Sequence, residues 1–183
     1  LASIAIKLKK TTDKNNIMRE ARELFYDGKF IDQQDSNPYL LCFNNGVWDF
    51  KDDCFRPGKP EDYLTKTTKS DYITPDKLNK QSVAEVDTFI EQLFPVKELR
   101  RYMWDHLASC LIGTTENQTF NIYTGNGCNG KSKLVELMGK SLGEYKGTVP
   151  ITLITSNRPG IGSTSSEVVQ LKGIRYAVMQ EPS

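Results

Sequence analysis

Residues 125–132 form a complete Gly-x-x-x-x-Gly-Lys-Ser motif, which reads Gly-Asn-Gly-Cys-Asn-Gly-Lys-Ser in this chain. Residues 119–124 before it are the β-branched, aromatic and polar residues typical of a strand, and residues 131–142 after it repeat leucine and methionine at helical spacing. A strand, a glycine-rich turn and a helix N-terminus in this order form an anion-binding site, because backbone N–H groups and the positive end of the helix dipole point at a phosphate. The motif therefore predicts binding of ATP together with Mg²⁺.

Each residue type in the motif has a physical role in this chemistry. Glycines allow the backbone to bend and to approach a phosphate closely, Lys131 would reach the β- and γ-phosphates, and the Ser132 hydroxyl would ligate Mg²⁺. The candidate nucleotide-binding residues are therefore those of the whole motif: Gly125, Asn126, Gly127, Cys128, Asn129, Gly130, Lys131 and Ser132.

Glu181 is the candidate for the acidic residue that a phosphate-loop enzyme also needs. It follows the apolar residues 173–179, which are typical of a buried strand, and it lies about fifty residues after Lys131. Open parallel sheets build their sites at strand ends, so the Glu181 carboxylate is placed to polarise the attacking water or to hold the water shell of Mg²⁺. Gln180 stands where many such enzymes have a second acidic residue, so one carboxylate serves both roles or the metal depends on Ser132 and water. We predict Lys131 and Glu181 as catalytic residues, and Ser132 and Glu181 as Mg²⁺ ligands.

The sequence as a whole predicts an α/β protein in three parts. Residues 1–80 are expected to form a β-rich N-terminal domain, and residues 81–115 a helical connector or collar. Residues 116–183 are expected to form the beginning of a parallel-sheet, AAA+-like phosphate-loop ATPase core that is truncated at the C-terminus.

Hydrophobic periodicity and turn residues predict the individual elements. The expected helices cover residues 16–27, 83–93, 97–112 and 165–171, and the expected strands cover residues 39–43, 47–50, 54–55 and 63–68. Ser82 and Glu85 form a capping box, which places the start of the second of these helices at Val83.

The charge balance excludes a protein that binds nucleic acid through a basic tail. The chain of 183 residues carries 24 basic and 23 acidic side chains, a net charge of +1, and its basic residues are scattered. A surface for DNA must therefore be created by folding or by assembly. The sequence also has no run of 18 or more apolar residues and no signal-peptide pattern, so no membrane partner is expected.

Cysteine and histidine usage excludes several kinds of site. The sequence contains four cysteines, Cys42, Cys54, Cys110 and Cys128. Their spacing does not fit a zinc site, which favours free thiols in a reducing, intracellular compartment. His106 is the only histidine, so this sequence by itself provides neither a catalytic triad nor a histidine metal cluster. Because His106 lies beside the apolar face of the helix predicted over residues 97–112, we expect it to have a structural role.

Further motifs accompany the phosphate loop. Asn129 stands immediately before the second motif glycine, residues 45–50 read Asn-Gly-Val-Trp-Asp-Phe, residues 60–66 read Pro-Glu-Asp-Tyr-Leu-Thr-Lys, and residues 171–175 read Leu-Lys-Gly-Ile-Arg. In this combination the chain resembles the superfamily III helicases, and within them the poxvirus-type primase–helicases of large DNA viruses with their phage and plasmid relatives. The resemblance covers most of residues 40–183.

The resemblance implies a hexameric ring that couples ATP hydrolysis to DNA unwinding at a viral replication fork. ATP would lie between subunits and single-stranded or forked DNA would pass through the pore, with a primase, a polymerase or a processivity factor as further partners. The cellular site would be the host cytoplasm at viral replication sites, or the nucleus. In this family the sensor residue, the pore hairpin and the arginine finger follow the position of Glu181. Because an arginine finger contributes about 10³–10⁵ in rate, we expect this sequence alone to bind ATP but to hydrolyse it poorly.

Two other functions stay open on the sequence. A different phosphate-loop enzyme, such as a nucleotide kinase or a DNA-packaging ATPase, would use the same loop, although residues 156–166 hold only Arg158 as a basic residue for a kinase lid. A non-enzymatic assembly or loading module would use the nucleotide only to lock an oligomer. Stimulation of ATP hydrolysis by single-stranded DNA, dependence on a phosphate acceptor, and a nucleotide-dependent oligomeric state would distinguish the three.

Overall fold

The computed structural model describes residues 2–116, 118–127, 129–155 and 166–179 of this mixed α/β protein. The chain divides into two compact units, Leu1–Gln34 and Asp35–Ser183. The three-part organisation expected from the sequence, with boundaries at residues 80/81 and 115/116, stays a prediction.

The first unit is helical. It contains α1 (Ala2–Lys9), α2 (Thr11–Leu24) and the short α3 (Phe30–Gln33). The helix predicted over residues 16–27 therefore begins and ends earlier than expected. Its first residues are polar and give no apolar periodicity, yet Asp13 in the first turn is favourable near the positive end of the helix dipole.

A three-stranded antiparallel sheet begins the second unit. Its strands, in the order β1-β2-β3, are β1 (Leu40–Phe43), β2 (Gly46–Asp49) and β3 (Cys54–Arg56). Trp48 in the central strand pairs with Leu41 on one side and with Phe55 on the other. The three strands predicted for this part of the sequence are confirmed, with their ends shifted by about one residue.

The fourth predicted strand, over residues 63–68, is wrong. The backbone N–H of Thr65 donates to the Asp35 carboxylate at 2.8 Å, and that of Thr67 donates to the Glu144 carboxylate at 3.0 Å. Side-chain carboxylates therefore take donors that a strand would use in its ladder.

Two helices follow, α4 (Lys80–Leu93) and α5 (Lys97–Ser109). α4 begins before the predicted residue because its N-cap is Asn79 rather than Ser82. The Asn79 side-chain oxygen accepts from the backbone N–H groups of Gln81 at 2.9 Å and Ser82 at 3.4 Å. α5 has the predicted start and a slightly earlier end.

The remaining elements are α6 (Lys131–Leu142), β4 (Lys146–Thr148), α7 (Thr152–Thr155), α8 (Ser166–Val169) and β5 (Tyr176–Val178). α6 has the predicted bounds, and α8 is shorter than the predicted helix. β4 and β5 pair in parallel, with Lys146 opposite Tyr176. β5 lies within the strand predicted over residues 173–179. β4 has no counterpart in the sequence prediction, because its Lys-Gly-Thr sequence carries no apolar side chain.

One hydrophobic core joins the elements of the second unit. Its buried side chains come from β1, α4, α5 and its C-cap, α6 and the turn after it, and β5. They are Leu41, Ile90, Met103, Leu107, Cys110, Leu134, Met138, Leu142, Tyr145 and Tyr176. The helix that follows the glycine-rich motif is therefore fixed to the core along its length. Within the described residues, no helix has the length and the apolar character needed to cross a membrane.

Candidate nucleotide-binding site

The glycine-rich motif depends on left-handed backbone at two positions. Gly127 has a φ of +87° and Gly130 a φ of +81°, a region that glycine occupies without steric cost. Gly125 is constrained differently, because a Cβ at this residue would lie 1.7 Å from the Asn129 amide nitrogen. Glycine is therefore favoured at each of the three positions, by backbone conformation at two and by the position of the Asn129 side chain at the third.

Lys131 is the first residue of α6, and its amine turns back over the loop. Its Nζ donates to the Asn129 side-chain oxygen at 2.7 Å and to the Gly125 carbonyl oxygen at 3.3 Å. Both acceptors belong to the motif. The arrangement therefore places a positive charge directly beside the backbone of the loop.

The N-terminus of α6 provides the second part of the site. Its N-cap is Gly130, and in the described structure no side chain caps the first turn. The Leu134 N–H donates to the Gly130 carbonyl at 3.0 Å, which leaves the preceding N–H groups of the turn for an acceptor outside the helix. The first turn contains no acidic residue, and Ser132 is exposed there. Such a turn fits a phosphate group, because its donors and the helix dipole both favour an anion.

Packing against α4 fixes the base of the loop. An added Cβ at Gly130 would lie 2.9 Å from Leu93 Cδ1 and 4.0 Å from Phe89 Cε2. The loop therefore rests on the C-terminal half of α4. Sequence reasoning missed this contact, because Leu93 and Phe89 give no signal beyond ordinary helical periodicity.

The strand predicted over residues 119–124, directly before the loop, is wrong. The structure has irregular backbone there, and the side chains of Phe120 and Ile122 are 83% and 73% exposed. A strand needs a neighbouring strand to satisfy its N–H and C=O groups, and no described strand pairs with this segment. Of the parallel sheet predicted for an ATPase core, the described residues contain one pair, β4 and β5. The ATPase core as a whole therefore stays a prediction.

Polar side chains connect the same segment to α5. The Tyr102 hydroxyl donates to the Asn121 side-chain oxygen at 3.1 Å, and the Asn121 amide nitrogen lies 3.3 Å from His106 Nδ1. The other ring nitrogen, Nε2, lies 3.1 Å from the Tyr123 hydroxyl. Burial lowers the pKa of His106 below its ordinary value, so the ring is neutral near pH 7. His106 thus has the kind of structural environment expected from the sequence.

Two predicted site residues, Cys128 and Glu181, lie outside the described part of the chain. The roles assigned to them therefore stay predictions, as does Mg²⁺ ligation by Ser132. Among the described residues, no group of three or more His, Cys, Asp or Glu side chains could hold a metal ion. A phosphate-loop metal is held by a hydroxyl, a carboxylate and the nucleotide itself, and the exposed Ser132 fits the first of these donors.

Comparison with known proteins finds relatives in large DNA viruses. The D5 N terminal like family matches residues 1–95. A helicase-named protein of Acanthamoeba polyphaga mimivirus is 35% identical over 182 residues, which cover 100% of this chain and 19% of the relative. A helicase-named protein of Invertebrate iridescent virus 3 is 31% identical over 176 residues, 96% of this chain and 19% of the relative. A primase-named protein of African swine fever virus is 26% identical over 188 residues, 92% of this chain and 18% of the relative.

The chain spans about a fifth of the length of these relatives. The family match covers more than half of the chain, and the matches to the viral proteins extend through the glycine-rich motif. The resemblance to the primase–helicases of large DNA viruses is therefore confirmed. The chain belongs to the D5 N terminal like family and is a relative of the helicase- and primase-named proteins of large DNA viruses.

Proposed function

We propose that this chain is part of an ATP-driven DNA helicase of the viral replicative primase–helicase kind. In the proposed reaction, hydrolysis of ATP at the glycine-rich loop drives DNA unwinding, and the working form is a hexameric ring with the nucleotide between subunits. The geometry of the loop and of the α6 N-terminus supports the proposed binding and hydrolysis of ATP. The names of the viral relatives support the proposed action on DNA.

One observation carries the ATP part of the proposal. Lys131 Nζ lies against two neutral oxygens of its own loop, those of Gly125 and Asn129, at the first turn of α6. A phosphate oxygen is a stronger acceptor for this cation than either of them, because charge-assisted hydrogen bonds are roughly twice as strong as neutral ones. In the proposed function Lys131 bridges the β- and γ-phosphates, while the N–H groups of the loop and of the first helical turn bind the phosphate oxygens.

Ser132 and Glu181 complete the proposed chemistry. The Ser132 hydroxyl stands one residue after Lys131 in the first turn of α6 and would hold Mg²⁺. Glu181, shortly after β5, would orient and polarise the attacking water. When bound, the metal neutralises charge that develops on the phosphate oxygens.

The ring and the DNA partner are proposed for the whole protein, of which this chain corresponds to about a fifth in the relatives. The net charge of +1 and the scattered basic residues agree with a DNA surface that forms on assembly rather than within one chain. A primase, a polymerase or a processivity factor is the kind of partner that a replicative helicase needs.

The test uses the full-length protein that contains this sequence. Steady-state Mg²⁺-dependent ATP hydrolysis is measured with and without single-stranded DNA for the wild type, Lys131→Ala and Lys133→Ala. Lys133→Ala is the matched control, because it removes the same charge from the same turn of α6. The Lys133 side chain is exposed and forms an ion pair with Glu136 at 2.9 Å. We expect strong stimulation by DNA, a loss of at least about 10²-fold in Lys131→Ala, and a change within about twofold in Lys133→Ala.

Other outcomes would contradict parts of the proposal. A rate that depends on Lys131 but is unaffected by DNA would contradict the motor and favour an assembly module or a different phosphoryl acceptor. Equal rates in the wild type and Lys131→Ala would contradict the assignment of the loop itself.

A further inference from the structure

The side chain of Tyr123 connects α5 and the hydrophobic core near the glycine-rich loop. Its hydroxyl oxygen lies 3.1 Å from His106 Nε2 of α5. The ring packs against the core, to which Tyr176, the first residue of β5, also belongs. Tyr123 itself stands two residues before Gly125, where the motif begins. Tyr123 therefore joins α5 to the segment that leads into the loop and packs that segment against the core.

Alternate residues of this segment face α5. Asn121 and Tyr123 make the polar contacts with α5, whereas Phe120 and Ile122 are mostly exposed. The segment has no ladder hydrogen bonds to a described strand. Its position before the loop is therefore set to a large extent by the side chains of residues 121 and 123.

The hydrogen-bond pattern defines the tautomer of His106. The Asn121 oxygen accepts from the Tyr102 hydroxyl, so the Asn121 amide nitrogen donates to His106 Nδ1. Nδ1 is then unprotonated and Nε2 carries the hydrogen of the neutral ring. His106 thus donates from Nε2 to the Tyr123 hydroxyl, and Asn121 fixes the ring in the orientation that this bond requires.

We propose that His106 is a positioning residue for the glycine-rich loop, because it holds Tyr123 between α5 and the core and so sets where the chain enters Gly125. The inference rests on the proposed function, since it assigns His106 to the same nucleotide site. Among the described residues, the hydrogen bonds of the His106 ring are to Tyr123 and Asn121, which precede the loop. Its effect on nucleotide binding runs through Tyr123.

Two substitutions separate this role from simple packing. His106→Gln keeps a donor near the position of Nε2 and loses the acceptor for Asn121. His106→Asn keeps an acceptor near the position of Nδ1 and is too short to reach Tyr123. A purely structural histidine would respond to both in proportion to lost stability, whereas a positioning residue that acts through Tyr123 responds mainly to the second.

The experiment measures, in the full-length protein, the Kd for a fluorescent ATP analogue with Mg²⁺ and the KM and kcat of hydrolysis, together with the melting temperature. We expect His106→Asn to raise the Kd and KM about fivefold, the size of one lost hydrogen bond, and His106→Gln to raise them less than about twofold. Tyr123→Phe keeps the ring and should reproduce the effect of His106→Asn. The double variant should show no further loss, because both substitutions remove the same bond.

Equal affinities in the wild type, His106→Asn and Tyr123→Phe would overturn the inference, as would losses that follow melting temperature alone in both histidine variants. Lys131→Ala in the same assay distinguishes an error in the proposed nucleotide site from an error in the positioning role of His106. If Lys131→Ala binds the analogue normally, the assignment of the glycine-rich loop as the nucleotide site is wrong. If Lys131→Ala loses binding while His106→Asn retains it, only the positioning role fails.

Discussion

Arg56 joins two carboxylates and closes the turn that follows β3. Its guanidinium donates two hydrogen bonds of 2.9 Å to Asp62 and two, of 3.2 and 3.4 Å, to Asp49. The Asp62 carboxylate also accepts from the Lys59 backbone N–H at 2.8 Å. These bonds, those from Arg56 above all, hold the pKa of Asp62 below its ordinary value of 3.8.

This pKa shift has a defined consequence for stability against pH. Because the folded-state pKa of Asp62 is lower than the unfolded one, the carboxylate stabilises the fold above pH 3.8, and this contribution is lost as the pH falls through the folded-state pKa. We expect Asp62→Asn to lower the free energy of unfolding at neutral pH by about 1–3 kcal/mol and to flatten its decline in acid. Denaturant unfolding of the chain between about pH 7 and pH 3 measures both effects. Asp53→Asn, in an exposed turn, is the control, and parallel pH curves for wild type and Asp62→Asn would contradict the expectation.

Arg175 makes contacts that residue patterns in the sequence do not predict. Its guanidinium donates to the backbone carbonyls of Leu40 and Leu111 and lies 4.6 Å over the Tyr145 ring. Burial lowers the pKa of Arg175. The sequence places this arginine beside a buried strand, but its partners are 64 and 135 residues away along the chain. Local periodicity carries no information about such contacts, so a residue that connects β1, the end of α5 and β5 was not found in advance.

At the scale of elements, the contact between α4 and the glycine-rich loop gives a second prediction. Gly127 and Gly130 both have positive φ, but an added Cβ at Gly127 meets no described atom within 4 Å, whereas one at Gly130 meets Leu93 at 2.9 Å. Alanine at Gly127 should therefore cost only the strain of a left-handed backbone, about 1–2 kcal/mol. Alanine at Gly130 should cost that strain and the overlap with α4 as well.

Melting temperatures of Gly127→Ala, Gly130→Ala, Leu93→Ala and the Gly130→Ala/Leu93→Ala pair measure this difference. We expect Gly130→Ala to melt below Gly127→Ala, and the double variant to be more stable than the sum of its single changes, because Leu93→Ala removes the overlap. Additive losses, or equal melting temperatures for the two glycine variants, would contradict the packing of the loop on α4.

The elements that sequence reasoning found are those that local rules specify. α6 has the predicted bounds. Gly130, in a left-handed conformation, stands directly before its first residue, and its leucines and methionine repeat at helical spacing. Residues 63–68 and 119–124 have strand-like composition, but a strand also needs a partner strand, and no described strand pairs with either segment. In the first segment, the backbone N–H groups of Thr65 and Thr67 donate to the carboxylates of Asp35 and Glu144 instead. β4 shows the opposite: its Lys-Gly-Thr sequence is not typical of a strand, yet it forms one because it pairs with β5 in parallel. Composition therefore predicted helices better than strands.

At the scale of the molecule, the sequence alone supported the phosphate loop, the mixed α/β class and the viral primase–helicase resemblance. The structure added what surrounds the loop, namely its support on α4 and its connection through Tyr123 to α5 and the hydrophobic core. Glu181 was inferred from spacing and stays a prediction. The chain spans about a fifth of the length of its relatives, so the motor activity is proposed for the full-length protein.

Separation of a forked DNA substrate by the full-length protein tests the helicase proposal most directly. It is measured with ATP and with a non-hydrolysable analogue, for the wild type, Lys131→Ala and the control Lys133→Ala. We expect strand separation that requires hydrolysable ATP, is lost in Lys131→Ala and is retained in Lys133→Ala. Separation by Lys131→Ala or with the analogue would contradict the helicase proposal, and so would a wild-type protein that hydrolyses ATP on DNA without separating the strands.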